Sequence, residues 1–176
     1  MFRFYHADRR GQLVENTELQ LPQSGLSPFG QVYWNDINTH QDNPSQLSKA
    51  AQRESIVEEI RKANYPHAAS RFQCFFGANH VEDAVRFAKL IEPVPEHSIG
   101  IFEVFATAFV TLDMNHIDVD PSDPDYIQYV HWYWRRVISN HGPPSGNRRA
   151  PNLEVLMQFP VRIGRRVMEV NPNAGA

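Results

Sequence analysis

The spacing of hydrophobic positions changes several times along the chain, and each change marks an expected element. Phe2-Arg3-Phe4-Tyr5 is aromatic and runs straight to His6 and the polar Asp8-Arg9-Arg10-Gly11, which predicts a short strand delivering a histidine to its end. Residues 15–48 have little periodicity and are rich in Pro, Gly, Asn, Gln and Ser, so a long irregular surface segment is expected, with Phe29, Tyr33 and Trp34 packing onto the body. Ser48 caps a predicted helix through Ile56, Val57 and Ile60 to about Ala63, which Pro66 stops. Residues 71–76 read as a strand ended by Gly77. Asn79, with Glu82 three residues on, resembles a capping box for a helix through Val85, Ala88 and Ile91. Residues 98–104 and 109–112 read as further strands, and the acidic run from Asp118 to Asp125 opens a helix carrying Tyr126, Val130, Tyr133 and Val137 at helical spacing. Residues 141–151 are rich in Gly, Pro and Arg and read as an exposed loop. Residues 153–159 and 161–170 read as two closing strands, with a hairpin around Phe159-Pro160. The strands are too bunched for a doubly wound parallel sheet, so an α+β fold with a mainly antiparallel sheet is expected.

Composition narrows the choice of function more than it shapes the fold. With 176 residues, 41% of them hydrophobic and 21% charged, one core and a single domain over residues 1–176 are expected. The longest apolar stretches fall far short of the roughly 18 to 20 residues needed to span a bilayer, so no membrane partner is expected. The first residues lack the apolar run and small-residue site of a secretion signal, which makes the cytoplasm the expected compartment. A lone Cys74 forbids an internal disulfide and a cysteine-rich zinc site. The net charge of -3 argues against a protein that holds nucleic acid mainly through an electrostatic face. No Gly-Lys-Ser/Thr and no Gly-rich phosphate turn is present, so kinase and P-loop chemistry are excluded. No two of the 8 histidines stand four residues apart, so a metallohydrolase helix is not expected. His116 with Asp118, Asp120, Asp123 and Asp125 lacks the turn glycine and terminal glutamate of a calcium-binding hand, and reads as a solvated helix N-terminus.

Several side chains carry candidate chemistry, each with a plainer structural alternative. His6, at the end of an aromatic strand, can hydrogen-bond a ligand hydroxyl at neutral pH or serve as a satisfied structural histidine. Ser70-Arg71 places a hydroxyl and a guanidinium at one sheet edge, where arginine suits bidentate recognition of phosphate; the alternative is a turn serine and a surface arginine. Glu154 stands where an apolar strand enters the core. A carboxylate held against an electron-poor sugar carbon stabilises an oxocarbenium-like transition state; the plain reading is an edge-strand glutamate in water. Asp113, ending another strand, is the rival carboxylate. Trp132 and Trp134 point to opposite sides of their helix, one core and one partly exposed. Cys74 has no base beside it and reads as buried filler.

In order along the chain these segments resemble the small bacterial members of the ADP-ribosyltransferase-like superfamily. Phe4-Tyr5-His6-Ala7 is similar to the first-strand motif of its histidine-bearing branch, which includes the poly-ADP-ribose polymerases and the rifamycin-inactivating transferases. Ser70-Arg71-Phe72-Gln73-Cys74-Phe75-Phe76, with the helix through Glu82, Asp83 and Ala84, resembles the second motif strand and its helix. Glu154-Val155-Leu156 resembles the third, where the family's catalytic glutamate stands. The resemblance implies a split antiparallel β-fold with peripheral helices whose cleft grips NAD as co-substrate. It implies transfer of ADP-ribose to a macromolecular acceptor, protein or nucleic acid, with loss of nicotinamide. NAD is then expected along Tyr5, His6 and Ala7 and against Ser70, Arg71 and Phe75: His6 on the adenosine ribose, the Ala7 main chain on the nicotinamide amide, Arg71 on the pyrophosphate. Glu154, with Asp113 as alternative, is the acid that steadies the positive sugar carbon. Ala7 stands where the branch usually has glycine. Asn152, two before Glu154, is not acidic as it is in arginine-modifying members, so arginine is not the expected acceptor. Arg148-Arg149 and Arg165-Arg166 offer local basic patches for a phosphorylated or nucleic-acid acceptor, the plainer alternative being solvated loop and strand-edge arginines. Family habit points to a bacterial toxin or effector and leaves room for a companion antitoxin. The alternatives are an NAD glycohydrolase, an inactive nucleotide- or protein-binding module and, with too few basic residues here, an RNA 2'-phosphotransferase.

Overall fold

The computed structural model describes residues 1–91, 93–138 and 150–171. The fold is α+β, with antiparallel strand pairing and four α-helices among the described residues. None of those helices is long and apolar enough to cross a membrane. The chain's contacts fall into two compact units, residues 1–21, 75–110 and 155–176 in one and residues 22–74 and 111–154 in the other.

The first unit is built on a four-stranded sheet. Strands β1 (Phe2–Asp8), β4 (Ile99–Ala106), β7 (Val161–Val170) and the short β2 (Glu18–Leu19) lie in the order β1-β4-β7-β2, antiparallel throughout. Side chains alternate between the two faces of a strand, so β1 feeds two cores. Phe4 joins Phe102, Val104, Val155, Met157, Val161 and Ile163 on one face. Tyr5 and Ala7 join Ile99 and Ile101 on the other, beneath Ala84 and Ala88 of helix α3 (Val81–Lys89). The sequence pattern places that helix well, but its N-cap is His80, which makes no side-chain cap bond, so the Asn79–Glu82 capping box does not form. Ile91 lies beyond the helix end.

The second unit holds the other helices. Helix α2 (Lys49–Asn64) starts as expected at Ser48, whose hydroxyl accepts from the Ala51 N–H at 3.1 Å. Helix α4 (Tyr126–Trp134) buries Tyr126, Tyr129, Val130, Tyr133 and Trp134, and Trp132 is half-buried. Val137 lies past its end. The expectation of one irregular segment over residues 15–48 is corrected by helix α1 (Pro28–Thr39). Ser27 caps it through the Gly30 N–H at 3.1 Å, and Pro28 supplies a preset first turn. Its Gly, Asn and Thr are poor helix formers, but close docking outweighs propensity. The Ser27 N–H donates to the Phe72 carbonyl at 2.8 Å, and a Cβ on Gly30 would stand 2.1 Å from that oxygen.

A second sheet has the order β3-β6-β5, formed by β3 (Cys74–Gly77), β6 (Leu153–Gln158) and β5 (Phe109–Asp113). The division between units falls within each of these strands. Two expectations are corrected here. Residues 71–73 form a 3-10 turn rather than strand, because the Ser70 hydroxyl accepts from the Phe72 N–H and turns the backbone. The residues 153–159 and 161–170 do not make a hairpin: β7 is paired on both edges by β4 and β2, so β6 joins the other sheet. β6 is its central strand, not an edge. Most of the 141–151 loop, with Arg148 and Arg149, lies outside the described residues.

Candidate functional site

Two polar loci stand out, one in each unit. The first is the open edge of β1. Tyr5 exchanges both main-chain bonds with Ala78 on that outer side, at 3.0 and 2.8 Å. Main-chain groups alternate in direction along a strand, so Ala7 also turns its N–H away from β4, beyond the point where the Tyr5–Ala78 bridge ends. The Ala7 carbonyl is taken by the Arg9 N–H at 2.9 Å, whereas its N–H faces no paired strand. Beside it, His6 Nδ1 lies 2.7 Å from the Phe76 carbonyl oxygen. A carbonyl only accepts, which assigns the proton to Nδ1 and leaves Nε2 as a lone-pair acceptor in the neutral ring. Burial lowers the pKa of His6 and outweighs the Phe76 carbonyl and Asp8, which act the other way, so the ring is neutral at physiological pH. The Phe75 ring packs against the imidazole with centroids 4.5 Å apart. Asp8 is consumed locally, its carboxylate accepting from the Arg10 and Leu13 N–H groups at 3.2 and 2.7 Å.

The second locus is a buried charge cluster assembled from four elements. Arg71, 3% exposed on the 3-10 turn, presents its guanidinium fork to Glu54 of α2, with Nε donating at 2.8 Å and Nη2 at 3.2 Å. Its Nη1 donates to the Tyr133 hydroxyl of α4 at 2.6 Å and to Oε1 of Glu154 at the start of β6. The Tyr133 hydroxyl in turn donates to the same Oε1 at 2.7 Å. The rings of Phe29 and Tyr133 flank the guanidinium, 5.5 and 5.6 Å from its centre. Burial alone would lower the pKa of Arg71, but Glu154 and Glu54 raise it well above its ordinary value. Burial raises Glu154, with Arg71 and Tyr133 pulling the other way. Burial also raises Tyr133 and pushes the Cys74 thiol up to about 12, which makes that cysteine a poor nucleophile.

The sequence candidates divide between these loci. Tyr5, His6, Ala7 and Phe75 come together on the first. Arg71 and Glu154 come together on the second. The Arg71 guanidinium, expected on pyrophosphate, is committed to two carboxylates and a hydroxyl. Glu154, far from being an edge residue in water, is 3% exposed. Ser70 is buried, donates to Glu58 at 3.0 Å and caps the Phe72 N–H at 3.2 Å. Asp113 is fully buried, and its Oδ1 accepts from the Asn115 and Asn152 N–H groups at 3.1 and 3.0 Å, so it ties a 3-10 turn to the entry of β6. Asp118 and Asp120 pair with Arg53 and Lys49 at 3.1 and 2.6 Å. Arg165 and Arg166 are exposed, the former 3.4 Å from Glu103.

Glu54 is the member that sequence reasoning missed. Its signal was present: Ala51, Glu54 and Glu58 share one face of α2 with Val57, and all four are buried. A glutamate inside an apolar stripe asks for a buried cation. Glu54 finds Arg71, and Glu58 finds Arg61 at 2.8 Å.

An α+β protein with an open acceptor–donor strand edge and a closed carboxylate cluster is thus the class that fold and sites define. Residues 31–145 match the family described as Protein of unknown function (DUF2441), and the chain belongs to that family. The matched stretch includes Glu54, Arg71, Asp113 and Tyr133, with His6 before it and Glu154 after it. No curated protein matches the chain.

Proposed function

We propose that the protein is an NAD-dependent ADP-ribosyltransferase of the split antiparallel β-fold type, moving ADP-ribose to a macromolecular acceptor. The observation that carries this reading is the β1 edge. Nε2 of a neutral His6 offers an acceptor for a sugar hydroxyl, the outward N–H of Ala7 offers a donor for a carboxamide oxygen, and Phe75 supplies an apolar wall beside them. A ribose and an aromatic carboxamide on one ligand ask for that combination. In the reaction the bond between ribose C1' and the nicotinamide nitrogen breaks, its electron pair leaving with nicotinamide. An acceptor oxygen or nitrogen bonds C1', and the proton it loses passes to solvent. The resemblance of Glu154-Val155-Leu156 to the family's third motif implies Glu154 as the acid for the developing positive charge, acting electrostatically rather than covalently.

The test is nicotinamide release and label transfer from NAD, alone and with cell lysate or total RNA, for wild type, His6→Ala, Ala7→Pro and Glu154→Gln. Release and transfer are expected from the wild type. Loss of one ligand hydrogen bond in His6→Ala or Ala7→Pro is expected to weaken NAD binding about 10-fold. Glu154→Gln is expected to lower the rate by about 10²–10³. A folded wild-type chain that neither binds NAD nor releases nicotinamide sinks the reading.

One observation favours a second reading, a binding module without turnover: Glu154 is 3% exposed and already paired. Saturable NAD binding that depends on His6, with no nicotinamide released under any condition, selects it.

A further inference from the structure

The side-chain hydrogen bonds that the described residues make to the Glu154 carboxylate fall on one of its two oxygens. Arg71 Nη1 and the Tyr133 hydroxyl both donate to Oε1, and no donor among the described residues reaches Oε2. The three groups close a ring, because Nη1 also donates to the Tyr133 oxygen at 2.6 Å. Behind the ring, Glu54 grips the other side of the guanidinium through both of its oxygens and fixes the plane of the fork. Each partner comes from a separate element: α2, the 3-10 turn, α4 and the first residues of β6. A carboxylate held in this way cannot rotate about its terminal bond without losing two charge-assisted bonds.

Stability alone gives little reason for such an assembly. A buried ion pair replaced by well-packed apolar side chains is often neutral or more stable. Here two carboxylates share the Arg71 guanidinium, and the only further cation near Glu54 among the described residues is Arg53, at 3.7 Å. The Tyr133 hydroxyl lies within a helix face that is otherwise aromatic and aliphatic, where phenylalanine would fill the same volume without a polar atom to satisfy.

We propose that Tyr133 and Arg71, braced by Glu54, are positioning residues for Glu154: they lock Oε1 so that Oε2 is the oxygen presented to the sugar. This rests on the reading of Glu154 as the acid of an ADP-ribosyl transfer. The charged and titratable groups around it are Arg71 and Cys74 from the segment leading into β3, Glu54 from α2, and Tyr133 from α4.

Two nearly isosteric variants separate positioning from packing. Tyr133→Phe removes a donor from the carboxylate, so the acid limb of nicotinamide release moves to higher pH. Its kcat is expected to fall about 10- to 100-fold with KM for NAD little changed, as a small misplacement of a reacting group does. Glu54→Gln removes a negative neighbour, so the same limb moves to lower pH. A merely structural role would lower Tm and shift the carboxyl titration by proximity alone, but would leave kcat and the pH limb of nicotinamide release unchanged in the folded variants. The Glu154 side-chain carboxyl is therefore followed in parallel by ¹³C NMR titration of the full chain, with NAD as the probe. Opposed shifts in the pH limb and in the titration support the proposal. Shifts of one sign, or none, in folded variants overturn it. If the wild type releases no nicotinamide, the transferase reading fails and the positioning proposal falls with it; release by the wild type with kcat and pH limb unmoved in the folded variants overturns the positioning alone.

Discussion

At the β1 edge of one unit, polar groups of His6 and Ala7 end on open valences, whereas in the Arg71 cluster of the other unit the guanidinium is spent on buried carboxylates and a hydroxyl. His6 spends one ring nitrogen on the Phe76 carbonyl and keeps the other as an acceptor, and Ala7 keeps its N–H. Arg71, by contrast, spends its fork on Glu54, Tyr133 and Glu154. The difference follows from surroundings. At a sheet edge, water or a ligand can take an unpaired group at little cost. In a buried cluster an unpaired charge costs several kcal/mol, so each charged group there is held by at least one partner. A strand edge can therefore serve as a recognition surface without rearranging, while a closed cluster can only hold, orient or open.

The largest effect that could break this contrast is loss of the cluster's cation. Arg71→Leu leaves Glu54 with only Arg53 at 3.7 Å and Glu154 with only the Tyr133 hydroxyl, and is expected to cost about 3–5 kcal/mol in urea unfolding. A cost below about 1 kcal/mol would mean that the two carboxylates reach water and that the cluster is not closed. Next comes Gly30→Ala, whose new methyl would sit 2.1 Å from the Phe72 carbonyl oxygen and push α1 off the turn that carries Arg71. About 1–3 kcal/mol is expected, and a rise in Tm would show that α1 docks elsewhere.

The smaller effects sharpen the other side of the comparison. His6 has a lowered pKa in the folded chain, so below its ordinary value of 6.5 the unfolded chain binds more protons than the native one. Its contribution is therefore present above about pH 6.5 and is lost as pH falls from there toward the folded value. In His6→Gln the part of the stability loss that belongs to this window should vanish, as read from unfolding curves at pH 7.5 and 5. Identical pH slopes in the two proteins would remove the neutral-histidine assignment. The smallest effect is expected from Ala7→Pro, which deletes an N–H that no strand uses and should leave stability within about 0.5 kcal/mol. A cost near 2 kcal/mol would mean that this N–H has a structural partner.

Legibility in the sequence tracked how local each feature's cause is. The helix after Ser48 and the strands through Phe4, Ile101 and Leu112 were visible because their period and caps lie in consecutive residues. Helix α1 was missed because what holds it is the Phe72 backbone, more than thirty positions away, and its own residues favour a loop. The supposed hairpin at Phe159-Pro160 failed for a similar reason. Which strands pair depends on which edges are already occupied, and β4 and β2 occupy both edges of β7.

The candidate residues follow the same rule. His6, Arg71 and Glu154 could be singled out by type and by their places at element ends, and Glu54 and Glu58 announced a buried charge by standing in the apolar face of α2. Which guanidinium each carboxylate meets, and which oxygen of Glu154 is tied, could not be read from any spacing. Those pairings join residues up to 83 positions apart.

By itself the sequence determined the class of fold, the position of most elements and the residue types able to carry chemistry, because propensity, capping and hydrophobic period act over a few neighbours. Only the tertiary structure decided that the Ala7 N–H faces no paired strand among the described residues, that Arg71 is consumed and that Glu154 is held by one oxygen. Each of those facts is a balance of hydrogen bonds among groups that only the packing of distant segments brings within 3 Å or so of one another.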